Sequence, residues 1–226
     1  MGGGQGDQGM AGVRLEEWSQ AERAEAAGKL MLGWVGLLWL IEAVDLATGH
    51  ALDAYGIIPR TTDGLTGIPL SPFLHFGFGH VASNSVPLLV LGFVAALGGI
   101  RRFLALSAVV VLVDGLGVWL VSASNTVTAG ASGLVFGLFG YLLVRGFVER
   151  RVLGVLVGIA IAAYWGAGIL TGILPANTAV SWQGHLFGLL TGVACAFLLG
   201  RRTANSSRWR PRQSPSGTRG TCPRTG

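Results

Sequence analysis

Charge is what this chain has least of. Only 12% of its 226 residues are Asp, Glu, Lys or Arg, against 51% hydrophobic, and the mean hydropathy is +0.59. An ordinary soluble domain carries about a quarter of its residues charged, so this composition excludes one and fits a polytopic membrane protein. Cysteine is scarce as well. Cys195 falls in an apolar stretch and Cys222 in the C-terminal tail, which rules out an intramolecular disulfide framework. The HExxH of metalloproteases does not occur. Gly2 is followed at the required offset by Gly6 rather than Ser or Thr, so the N-myristoylation signal is missing too. The tail that carries Arg201, Arg202, Arg208, Arg210, Arg212, Arg219 and Arg224 has no Asp or Glu. Rich in Pro, Ser and Gly, it reads as a disordered basic segment that follows the positive-inside rule, and no nucleic-acid partner is expected.

What the chain does have is apolar length. Runs able to cross roughly 30 Å of hydrocarbon lie near residues 30–47, 81–99, 103–121, 132–148, 152–173 and 183–200. The first follows Glu16, Glu17, Glu22 and Glu25 and is too long for the apolar core of a signal peptide, so it reads as a retained span. Six spans place both termini on one side. Arg101-Arg102, Arg145 with Arg150-Arg151, and Arg201-Arg202 fall on that side, while the loops at 122–131 and 174–182 carry no charge. The expectation is an all-α bundle of six transmembrane helices, multi-pass in the cell membrane, with both termini cytoplasmic. It divides into an N-terminal tail at 1–29, a membrane domain at 30–200 and a basic tail at 201–226. A small transporter would show inverted halves with paired broken helices, and no such symmetry is found. Residues 48–74 mix Asp53, Arg60 and Asp63 with Gly64, Gly67, Pro69 and Pro72 and fit neither helix nor strand periodicity. They read as an outer loop, either partly in the interface or simply extracellular.

A few polar residues interrupt the apolar background. Ser132 and His185 each sit near the start of a span entered from the same side, at similar shallow depth. A serine hydroxyl becomes a nucleophile when a base within hydrogen-bond reach takes its proton, and a neutral imidazole can do that near pH 7. Gly133 and Gly137 on one span, and Gly184, Gly188 and Gly192 on the other, leave stripes that allow the two helices to approach closely, although such stripes alone say only packing. Phe136, one turn beyond Ser132, is placed to stack on the imidazole. The Ser132 N–H at a helix start is a natural oxyanion donor. His80 and Asn84, four apart, share a helix face and offer two more. Asp114 is a carboxyl in the middle of the third span, either orienting the histidine or gating, or bonded to a neighbouring helix backbone, or simply protonated. His50, beside Gly49, reads as a solvated loop residue. A zinc site of His75, His80, His185 and Asp114 would lack the spacing of metal-protease motifs, and no metal ligands are assigned.

Three separated signatures, His75-x4-His80-x3-Asn84, Gly130-x-Ser132-Gly133 and Gly184-His185-x2-Gly188, occur in an order that resembles the rhomboid family of intramembrane serine proteases, over roughly residues 30–200. The resemblance implies Ser132 as nucleophile and His185 as general base. His80, Asn84 and Gly130 would stabilise oxyanion and substrate, with His75, Gly133, Phe136, Gly184 and Gly188 supporting. It further implies single-span membrane proteins as substrates, cut near the outer face, membrane lipids as surroundings, a gate formed by the fifth span and its following loop near 152–182, and no cofactor. A non-catalytic rhomboid-like protein that binds transmembrane helices is the alternative. Two positions depart from the family pattern: Phe136 stands where many members carry a tyrosine, and Thr66-Gly67 stands where some carry Trp-Arg.

Overall fold

The structure is a computed structural model, which describes residues 19–175 and 180–206. Among the described residues seven α-helices follow one another: α1 (Gln20–Ala47), α2 (Thr62–Leu70), α3 (Phe78–Ala96), α4 (Ile100–Val121), α5 (Ser132–Glu149), α6 (Val152–Gly172) and α7 (Trp182–Ser206). All except α2 are long and apolar enough to cross a membrane. Among the described residues there is no strand, only an isolated antiparallel bridge between Ile57 and Thr128. The six spans therefore match the expected all-α bundle. The N-terminal residues to 18, the tail beyond 206 and residues 176–179 of the last loop lie outside the described residues.

α1 begins ten residues before its apolar run. The cause is local: Ser19 accepts the Glu22 N–H and Glu22 returns a bond to the Ser19 N–H, a capping box that satisfies two orphan donors. The glycine stripes of α5 and α7 meet along their length. A Cβ on Gly188 would collide with the Gly133 carbonyl, and one on Gly192 with the Gly137 carbonyl, so only glycine permits this crossing. α5 is accordingly the central helix, buried along most of its sides from Gly133 to Leu142, between α4, α6 and α7. Its far end is fixed by ions: the Glu149 carboxylate accepts from Arg102 of α4 at 3.0 Å and from Arg145 at 2.9 Å, and both guanidiniums lie over the Tyr141 ring.

The segment at 48–74 is more ordered than its sequence pattern predicts. It folds as a 3-10 turn (Ala51–Tyr55), α2, and a second 3-10 turn (Ser71–Phe73). Gly64 and Gly67 of α2 press on the backbone of Ile58 and Gly56, where any Cβ would clash. α2 thus packs through two glycines and the single buried side chain of Ile68, which leaves no apolar periodicity to read. Arg60 donates to the Leu120 carbonyl and Ser124 hydroxyl, and Ile57 pairs with Thr128, so this segment closes over the 122–131 loop at one end of the bundle.

Candidate active site

That end of the bundle gathers the residues singled out above. Ser132 is the first residue of α5, where its N–H has no carbonyl four residues back to bond and the helix dipole is positive. His185 lies in the first turn of α7 and is buried. The Phe136 ring stacks on its imidazole with centroids 4.0 Å apart and planes 10° from parallel. Since α5 and α7 touch at Gly133 and Gly188, within a turn of Ser132 and of His185, the serine and the histidine face one crossing.

The hydrogen bonds assign the ring protons. His185 Nδ1 lies 2.9 Å from the Gly172 carbonyl, at the C-terminal end of α6. A carbonyl only accepts, so Nδ1 carries the proton and Nε2 presents its lone pair. Nε2 is buried and has no hydrogen-bond partner, and the Ser132 hydroxyl does not close on it here. Such bonds are often open until substrate arrives. A backbone oxygen therefore holds this histidine in the place that a carboxylate takes in a Ser-His-Asp triad. Sequence reasoning missed Gly172 because its contribution is a main-chain atom with no side-chain signal.

His80 shows the opposite tautomer. Its Nδ1 accepts from the Phe76 N–H at 3.4 Å, which leaves the proton on Nε2 as a donor. The ring occupies the space that a side chain at Gly130 would need, next to the Ser132 hydroxyl. Gly130 takes φ +127°, a conformation that glycine allows. Its N–H donates to the Ser71 carbonyl at 2.8 Å, and its missing side chain leaves room for His80 at the turn into α5. Asn84 spends one amide proton on the His80 carbonyl at 3.0 Å and keeps the other.

His75 stands before α3 and is only 2% exposed; its Nε2 accepts the Ala131 N–H at 3.3 Å, which ties the loop ahead of Ser132 to the entry of α3. Burial pushes its pKa down to about 4, helped by neighbouring His80 and opposed by the Phe73 backbone. The ring is therefore a neutral acceptor at physiological pH. The two imidazoles meet edge to face, 4.9 Å between centroids. Asp114 of α4 reaches into the α5–α7 crossing: its carboxyl fills the space beside Gly133 and faces Gly184, and its buried Oδ1 has no hydrogen-bond partner. Gly133 and Gly184 are thus needed as glycines for the carboxyl as well as for the helices. Among the described residues, His75, His80, His185 and Asp114 do not form a group of three that could hold a metal ion.

These features are those of a multi-pass membrane protein with a serine and a histidine set at a helix crossing near one face of the bundle. The rhomboid domain family matches residues 63–202. An uncharacterized protein of Mycobacterium tuberculosis is 42% identical over 180 residues, covering 76% of this chain and 75% of the relative. One from Mycobacterium leprae is 39% identical over 191 residues, covering 81% and 75%. A Bacillus subtilis protein named a putative rhomboid protease is 30% identical over 199 residues, covering 82% of this chain and 94% of its own length. The chain belongs to the rhomboid family.

Proposed function

We propose that this protein is an intramembrane serine endopeptidase that cuts single-span transmembrane proteins near the outer face of the cell membrane, with its termini in the cytoplasm. The observation that carries this reading is the state of His185: Nδ1 is held by the Gly172 carbonyl, the ring is stacked on Phe136, and Nε2 is free to take a proton. In the reaction Ser132 Oγ attacks the scissile carbonyl carbon and its proton passes to His185 Nε2. The imidazolium that forms is stabilised at Nδ1–H by the Gly172 oxygen and across its face by Phe136. The negative oxygen of the tetrahedral intermediate is met by the Ser132 N–H, the His80 Nε2–H and the remaining Asn84 amide proton. Collapse returns the proton from Nε2 to the leaving amine, and water then hydrolyses the acyl-enzyme through the same base.

Substrates are membrane helices that unwind readily near the interface. A peptide bond inside an intact helix is shielded and its carbonyl is already hydrogen-bonded, so small or helix-breaking residues favour cleavage. The test is co-reconstitution in liposomes of single-span substrates with the wild type, Ser132→Ala or His185→Ala, read by gel and product mass. Both variants are expected to fold and to cut nothing. Full cleavage by either variant overturns the dyad. Equal binding of several substrates without cleavage by the wild type replaces the enzyme with a non-catalytic helix-binding protein.

A further inference from the structure

A second polar cluster lies away from the serine and histidine, at the C-terminal end of α1. Glu42 and Asp45 are one helical step apart in register, and both are buried, at 1% and 2% exposure. His50 follows the end of the helix in a left-handed conformation, φ +63°, which turns its ring back toward them. Asp45 accepts from His50 Nδ1 at 3.0 Å through one oxygen and from the Leu52 N–H at 2.7 Å through the other. Asp53 stands 3.9 Å from the same imidazole nitrogen. These contacts account for Asp45 and His50 as a turn held by a carboxylate.

They do not account for Glu42. Both of its carboxylate oxygens are buried without a hydrogen-bond partner. The Gly77 amide, which opens α3, faces the carboxyl without closing a hydrogen bond on it. A buried carboxyl with neither donor nor cation is costly. One ligand atom each from Glu42, Asp45 and His50 lies within 4.8 Å of the others. We propose that Glu42, Asp45 and His50 form a binding site for a first-row divalent transition cation of the Zn2+ type. One imidazole and two carboxylates match the nitrogen and oxygen donors that Zn2+ accepts, whereas Ca2+ and Mg2+ prefer all-oxygen sets. Ion–ligand bonds of about 2.0–2.2 Å require the three donors to close slightly from their present separation, a movement that the half-exposed His50 ring can make. The ion joins the end of α1 to the loop that follows it. Through Glu42 it also borders Gly77, between His75 and His80, so its role is structural support of the segment that enters the site. The assignment stands independently of proteolysis.

The experiment uses the full chain, purified in detergent without a histidine tag, stripped with chelator and titrated with ZnCl2 against a chromophoric competitor. One equivalent of saturable Zn2+ is expected, with a thermal midpoint that rises with free Zn2+. His50→Ala, which alters a half-exposed side chain and keeps both carboxylates, and the isosteric Glu42→Gln should each weaken binding at least ~10–100-fold, the scale on which even outer-shell partners act. Absence of saturable binding overturns the proposal. Binding that survives both substitutions overturns it by placing the ion elsewhere, and equal affinity for Ca2+ or Mg2+ removes the imidazole from the ligand set.

Discussion

Three histidines at one end of the bundle divide between two tautomers, the proton on Nδ1 in His185 and His75 and on Nε2 in His80, each set by a main-chain group. Gly172 oxygen makes His185 a base at Nε2, the Phe76 N–H makes His80 a donor at Nε2, and the Ala131 N–H makes His75 an acceptor. None of these main-chain partners is visible in sequence, whereas the side chains themselves were, because histidines and an asparagine at span ends are rare enough to single out. Asn84→Ala should lower kcat by up to the ~10²–10³ that loss of one oxyanion donor costs, measured on a reconstituted substrate. A rate equal to wild type would leave Asn84 only its bond to the His80 carbonyl. His75 has a pH signature. Its folded pKa of about 4 lies below the ordinary histidine value of 6.5, so an unfolded chain takes up a proton in that window that the folded chain refuses. Stability from this group is full above the window and falls as pH drops through it, by on the order of 3 kcal/mol at the acid end. His75→Gln keeps an acceptor for Ala131 and should flatten this part of the slope in thermal melts between those pH values.

At the scale of elements, spans were legible because apolar length alone defines them, and their observed ends agree with the sequence to within a few residues except at α7, which runs on to Ser206, and at α1, where the Ser19–Glu22 capping box extends the helix into charged sequence. α2 was not legible. Two of its three buried positions are Gly64 and Gly67, which leave Ile68 as its single buried apolar side chain and no periodic pattern. The same absence of side chains was informative in α5 and α7, where glycines recur every fourth residue on long apolar helices. Gly188→Val tests that crossing: its branched side chain would meet the Gly133 carbonyl and force the helices apart. A loss of about 1–3 kcal/mol of stability is expected, together with loss of cleavage because Ser132 and His185 separate. Retention of wild-type melting would show that the crossing yields without cost.

For the whole molecule, the ion cluster around Glu149 and the polar site lie at opposite ends. Glu149 with Arg102 and Arg145 closes one end, and the loops at 48–77 and 122–131 close over the other. If the arginine-rich end is cytoplasmic, a membrane-impermeant maleimide added to right-side-out vesicles of a cysteine-free background should label Asn125→Cys directly and Arg150→Cys only after lysis. The reverse pattern would invert the site relative to the cell. α6 stands apart in this assembly. It packs mainly on α5, crossing it closely where Gly154 meets Gly146, and leaves Val152, Leu153, Leu156, Ile159, Tyr164 and Leu170 exposed along its length. Yet this loosely held helix carries Gly172, whose oxygen sets the His185 tautomer, at the end remote from that glycine contact. The arrangement is that of a lever with its pivot at one end and a latch at the other. An outward tilt of α6 at that end would carry the Gly172 oxygen away and unlatch the imidazole, so the set of this one helix decides whether the ring keeps its orientation.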